Sequence, residues 1–165
     1  MTQRFDTTFI KDLPNKKLRI NRMFDASLED VWSAWTKREI LDRWWAPRPW
    51  ITETQFLNFS EGGSWHYVLR GPNGKEHWSI AEFRAIKPTK SFEAISSFCD
   101  SKGVINPNDP VMHWKNSFVK VGQFIQVEIE IVFSTETDLE VIVERGFRKG
   151  LTNALENLDE VLSSN

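Results

Sequence analysis

Arg22-Met-Phe-Asp-Ala-Ser-Leu-Glu-Asp-Val-Trp-Ser-Ala-Trp35 and, just after it, Lys37-Arg-Glu-Ile-Leu-Asp-Arg-Trp-Trp-Ala-Pro47 form the stretch that decides the fold. Together they hold four of the chain's eight tryptophans. The stretch reads as the end of a strand, a short capped helix, a second helix and a proline stop. Ser27 can cap the free amide of Asp30. Leu28, Val31, Trp32 and Trp35 fall at i, i+3, i+4 and i+7, a single apolar helix face. Ile40, Leu41, Trp44 and Trp45 repeat the idea over a shorter helix that Pro47 and Pro49 bring to an end. Trp32 and Trp35 read as a plug for one end of a sheet. Trp44 and Trp45 fix the second helix, with one of them in reach of a cavity rim.

Upstream, Lys17–Phe24 alternates as a strand, with Leu18, Ile20 and Phe24 on one side. Residues 1–16 read as a flexible or extended lead-in, and 17–165 as a single domain. Downstream, from Trp50 onward, the period becomes two. Strands are expected over Thr52–Phe59, Ser64–Arg70, Lys75–Ile86, Ser91–Cys99 and Gln123–Ser134. Gly71-Pro-Asn-Gly74 is a turn between two of them. Asp100–Asn116 reads as an irregular loop long enough to be a lid. Leu139, Val141 and Val143 suggest a returning strand. On the strand 123–134, Ile125, Val127, Ile129, Ile131 and Phe133 share one face, while Gln126, Glu128 and Glu130 give the other to water. From Phe147 to Leu162 one long apolar stripe, including Leu151, Leu155 and Leu158, predicts a final helix able to cross a sheet face.

A chain of 165 residues, 40% hydrophobic and 27% charged, is an ordinary globular one that can bury a sizeable core. The net charge of −2 and the mixing of signs argue against nucleic acid as partner. Cys99 is the sole cysteine, which fits a reducing, cytoplasmic setting. No apolar run approaches the length of a membrane span. The element order predicts an α+β fold. A curved antiparallel sheet of six to seven strands wraps around the C-terminal helix, and two short helices follow the first strand. Between sheet and helix a partly enclosed apolar space should remain.

These pieces resemble the helix-grip fold of the START-like (SRPBCC) superfamily, and within it the family of domains named for the activator of heat-shock-protein ATPase. The resemblance rests on Arg22-x-Phe24-x-Ala26-x-x-x-x-Val31-Trp32, Trp44-Trp45-x-Pro47 and Glu61-Gly62-Gly63-x-Trp65. It rests also on the turn Gly71–Gly74, the arm Glu82-Phe83-x-x-Ile86-x-Pro88 and Gly146-Phe147 at the last helix. It covers about residues 17 to 163 and implies a ligand cavity between sheet and C-terminal helix. It does not imply one chemistry. Lipid carriers, aromatic-polyketide cyclases and chaperone regulators are built on this fold.

Three readings of function follow. The first is non-enzymatic binding of a small hydrophobic or aromatic ligand, a lipid or polyketide-like metabolite. Trp65, Tyr67, Trp78, Ile80 and Trp114 would line the pocket, with Leu151, Leu155 and Leu158 as its helical wall. No cofactor is called for, and the protein would be a monomer or homodimer. The second is a cyclase- or dehydratase-like enzyme with Glu82 or His113 as the pocket acid or base. Strict alternation with Trp78 and Ile80 would turn Glu82 and Arg84 inward unless a bulge intervenes. His113 would sit in the long loop, either exposed there or, as the alternative, placed over the cavity mouth by a lid. The third is a module that docks on a chaperone. A four-residue turn at 71–74 pairs Arg70 with Lys75, which puts His66 and His77 together on the outer face. No histidine spacing suits a metal site.

Overall fold

Ser27 caps the first helix as its sequence requires: its hydroxyl oxygen accepts from the Asp30 amide at 3.1 Å. The computed structural model describes residues 3–164. The order is β1 (Thr8–Asp12), β2 (Lys17–Phe24), α1 (Leu28–Thr36), α2 (Arg38–Trp44), β3 (Ile51–Leu57), β4 (Ser64–Arg70), β5 (Glu76–Lys87), β6 (Ser91–Cys99), β7 (Met112–Val121), β8 (Phe124–Phe133), α3 (Glu136–Glu144) and α4 (Phe147–Ser163). The strands form an eight-stranded antiparallel sheet in the order β1-β2-β8-β7-β6-β5-β4-β3. This is the helix-grip arrangement, with α4 as the long helix.

The N-terminal lead-in is extended over Thr8–Asp12, where it pairs with β2 as an edge strand. The strand beginning at Lys17 is therefore the second. Its inward residues Leu18, Ile20 and Phe24 are almost fully buried, as are Ile125 through Phe133 at every second position of β8. Arg22 shares that inward side and is also buried. Its guanidinium donates to Thr7 Oγ1 at 2.7 Å and to the carboxylate of Asp159 on α4. This buried ion pair ties α4 to the sheet. Burial pushes the Asp159 carboxyl above the ordinary carboxylate range, against the pull of Arg22.

Two expectations are corrected. Leu139 to Val143 is part of helix α3, not a returning strand. Thr135 caps it by accepting from the Asp138 amide at 3.0 Å. Leu139 and Ile142, three apart, are the buried pair. The alternation of Leu139, Val141 and Val143 is the incidental part of the pattern, because the even-numbered Ile142 is apolar too. The long loop also ends sooner than expected. Met112–Val121 is strand β7, paired with both β6 and β8. The true connection is 100–111. Its first part lies on the convex face, and at its far end Asp109 accepts at 2.8 Å from Arg145, which sits over Phe98. The Asp100 carbonyl meets His66 Nε2 at 3.2 Å, and Gly103 lies over Ile80. Both partners face outward.

Candidate aromatic pocket

The hairpin β4–β5 sets which side chains face inward. Its connection is one residue longer than the sequence suggests: Arg70 pairs with Glu76 and Val68 with Trp78. Gly71 is required there, since a Cβ would meet the ring of Trp50 at 2.5 Å. One extra residue turns β5 over. Ser79, Ala81 and Phe83 therefore join Trp65 and Tyr67 on the concave face, and all five are buried. Trp78 and Ile80 go to the convex face, where Trp78 packs on His66 with ring centres 5.2 Å apart. They do not line the pocket. His66 lies outward as expected. His77 does not: it falls on the concave side, at the exposed end of the hairpin against Trp50.

The same shift relocates the proposed acid–base residues. Glu82 and Arg84 point outward and pair with each other at 2.8 Å, both about half exposed. The bulge lies after them, between Arg84 and Lys87. His113 pairs with Ile95 and Val132 on β7 and is exposed. Its neighbour Trp114 faces inward and is buried. Glu82 and His113 thus have no access to the pocket. Cys99 is a half-buried thiol whose pKa burial pushes up to about 11, so it is protonated at neutral pH.

What gathers inside is a cage of rings. Trp65 and Tyr67 stack with centroids 3.9 Å apart. Trp45 lies edge-on to Trp65 at 5.4 Å and tilted against Trp114 at 5.9 Å. Phe83 and Phe92 continue the wall. Trp35, at the end of α1, packs 5.4 Å from Phe118 and 4.7 Å from Trp44. The rings leave room for the centre of a water-sized molecule over about 40 Å³. Of the lining residues only Trp45 and Ser96 are not fully buried, so the mouth is on their side. Leu155 and Leu158 are completely buried in the core beneath α4 and, with Leu151, lie outside this lining. The wall facing the sheet comes from Trp35, Leu41 and Trp45 of the two short helices and the residue after them.

The polar groups of the cage divide into two sets. Trp65 Nε1 donates to Thr54 Oγ1 at 3.0 Å, and Thr54 in turn donates to Asp42 at 2.6 Å. Trp45 Nε1 donates to the Tyr67 hydroxyl at 3.2 Å. Burial raises the Tyr67 pKa above its ordinary value, with Trp45 and Ser79 pulling the other way. It is therefore a neutral phenol. The second set has no hydrogen-bond partner among the described protein atoms: Trp35 Nε1, Trp114 Nε1 and Asn116 Oδ1. All three belong to pocket-lining residues. A buried polar group left unpaired costs about 1–3 kcal/mol. Asn116 sits in a cross-strand row with Ile20, Ile129 and Phe92, all inward. The sequence reading missed it by placing it in the loop. The inward period Met112, Trp114, Asn116, Phe118 was the available signal, with one amide in an otherwise apolar series.

The fold and its internal pocket define a START-like domain. The chain belongs to the activator of Hsp90 ATPase homolog 1-like family, whose sequence pattern matches residues 25–163. A solution structure of a protein from Arthrobacter aurescens is 26% identical, covering 96% of this chain and 92% of its own, with a TM-score of 0.89. One from Staphylococcus epidermidis is 27% identical over 95% and 94%, with a TM-score of 0.84. The crystal structure of Ms6760 from Mycobacterium smegmatis shares the fold at 19% identity, TM-score 0.89, over 100% of this chain and 99% of its own. No curated protein matches the chain in sequence. Among the described residues, no helix is long and apolar enough to cross a membrane.

Proposed function

We propose that the protein binds a small, flat, largely apolar molecule in the aromatic pocket between β4–β7 and the two short helices. The observation that carries this is the pairing of an apolar ring cage with unpaired indole and amide groups. A core built only for stability fills such space with aliphatic side chains and leaves few polar atoms unmatched. Of the five unmatched buried side-chain atoms among the described residues, three belong to this pocket, the others being Arg22 Nε and Thr52 Oγ1. About 40 Å³ is too tight for a ligand as it stands, since one benzene ring takes a cavity on the order of 150 Å³. Binding on this reading is coupled to outward movement of Trp45. That side chain is half-buried and is carried on the irregular segment between α2 and β3.

Among the described residues, no charged side chain lines the pocket. Tyr67 is its one titratable group, and it is protonated at neutral pH. This supports binding over acid–base turnover at this site, because a phenol held above its ordinary pKa is a poor base. The test is native mass spectrometry of the freshly purified protein, beside Ala94→Leu. Ala94 is buried on the pocket wall, and leucine there fills the space the ligand needs. One small aromatic molecule retained per wild-type chain and absent from the variant is expected. The same adduct retained by both proteins places it elsewhere and ends this reading.

A further inference from the structure

The unpaired groups say more about the ligand than that it is aromatic. We propose that it is a neutral planar molecule carrying a hydrogen-bond acceptor beside a donor, of the lactam, aryl-amide or hydroxy-carbonyl kind, and not a plain hydrocarbon or a fatty acid. This deepens the binding reading above and rests on it.

Trp114 and Asn116 are two apart on β7 and point the same way, so they are about 7 Å apart along the strand. Trp114 Nε1 offers a donor. The Asn116 carboxamide offers an acceptor at Oδ1, unpaired in the protein, and an NH₂ donor beside it. Asn116 is 3% exposed and Trp114 8%, so neither group is turned to bulk water. A carbonyl on the ligand can accept from Trp114 while an adjacent N–H or O–H donates to Asn116 Oδ1. Trp35 Nε1, on the opposite wall, is a further donor for an acceptor at the far edge of the ring system. The pocket has no cationic side chain to meet a carboxylate. A buried, unpaired carboxylate is strongly disfavoured, so a fatty-acid head group has no favourable place inside the pocket. An aromatic hydrocarbon fits the rings but leaves the amide and indoles as unmatched as before.

The test compares 2-quinolinone, naphthalene and palmitate, titrated against the wild-type protein, Asn116→Val and Trp114→Phe, with thermal melting as the check on folding. The first two probes have nearly the same shape; only the lactam carries the acceptor and donor. Wild-type protein should bind 2-quinolinone at least about tenfold tighter than naphthalene, equivalent to 1.4 kcal/mol. Asn116→Val should bring the two within about twofold of each other, and Trp114→Phe should lower the preference less. Equal or tighter binding of naphthalene by the wild type overturns the proposal while the binding site itself stands. Tightest binding of palmitate also overturns it. Failure of all three probes to bind counts against the pocket reading as well.

Discussion

The two halves of the concave face are built to different rules. Strands β2 and β8 contribute Leu18, Ile20, Ile129 and Ile131 to the same core as Leu155 and Leu158 of α4, all nearly or wholly buried. The charged groups there pair, Arg22 with Asp159, and Arg22 Nε alone is left without a partner among the described residues. Toward β4–β7 the face turns aromatic. Trp65, Tyr67, Trp114 and Phe92 meet Trp35 and Trp45, room remains among them, and three polar atoms lack partners. The first half behaves as a core, optimised for packing density. The second carries features that lower stability. On the binding proposal, the first half holds the fold and the second serves the ligand.

If this division is right, substitutions should separate along it. Arg22→Met, which strands the buried Asp159 carboxylate, should cost about 3–5 kcal/mol at neutral pH by chemical denaturation. Asp159→Asn should cost at least as much, because it strands the buried Arg22 guanidinium, which unlike a carboxyl cannot shed its charge. The pH dependence has a definite sign. A carboxyl whose folded pKa is raised stabilises the fold fully below its unfolded pKa and loses that contribution as pH rises through the folded value. Asp159→Asn should remove that loss from the stability–pH curve. A penalty for Asp159→Asn well below that for Arg22→Met at neutral pH would break this account of the pair.

Leu155→Ala opens a hole in the aliphatic half and should cost about 2–5 kcal/mol, with ligand preference unchanged. Asn116→Val, in the aromatic half, should leave the ligand-free protein as stable as wild type, or more stable by up to about 1 kcal/mol, since it removes an unmatched buried group. A loss of more than about 2 kcal/mol there would make Asn116 a structural residue and blur the two halves together. The smallest effects belong to the convex face. Glu82→Gln and His113→Ala should change the melting stability by no more than about 0.5 kcal/mol and leave 2-quinolinone binding intact. Loss of binding on either change would return them to the site.

Much of this division was legible in the chain. The tryptophan-rich helices after Phe24, the alternation of β8 and the stripe of α4 each carry a period long enough to fix an element and its face. The pocket was legible in Trp65, Tyr67 and Trp114. Trp78 and Ile80 were misplaced for a single physical reason: the loop after Arg70 takes one residue more than its Gly-Pro-Asn-Gly signal implies, and strand faces invert with each residue of register. The same inversion made Glu82 look internal. Asn116 was hidden because the start of β7 follows a loop rich in Gly, Pro and Asn, with no break in composition to mark it. Leu155 and Leu158 were rightly apolar and inward, but sequence cannot tell which inward residues border the remaining space. Trp32 and Trp35, read as a plug for one end of the sheet, both pack on Phe118, and Trp35 and Trp45 reach the cage.

The claim that the aromatic half is the binding site is tested most directly by the indole N–H signals of ¹⁵N-labelled protein during titration with 2-quinolinone. Six of the eight tryptophans are linked through ring contacts inside the sheet, while Trp78 packs on His66 on the convex face and Trp50 on His77 at the hairpin end, so the last two serve as controls. Signals of Trp35, Trp45 and Trp114 should move together and saturate, while Trp78 on the convex face and Trp50 at the hairpin end stay still. Movement confined to Trp78 or Trp50, with the three pocket indoles unchanged, would contradict it.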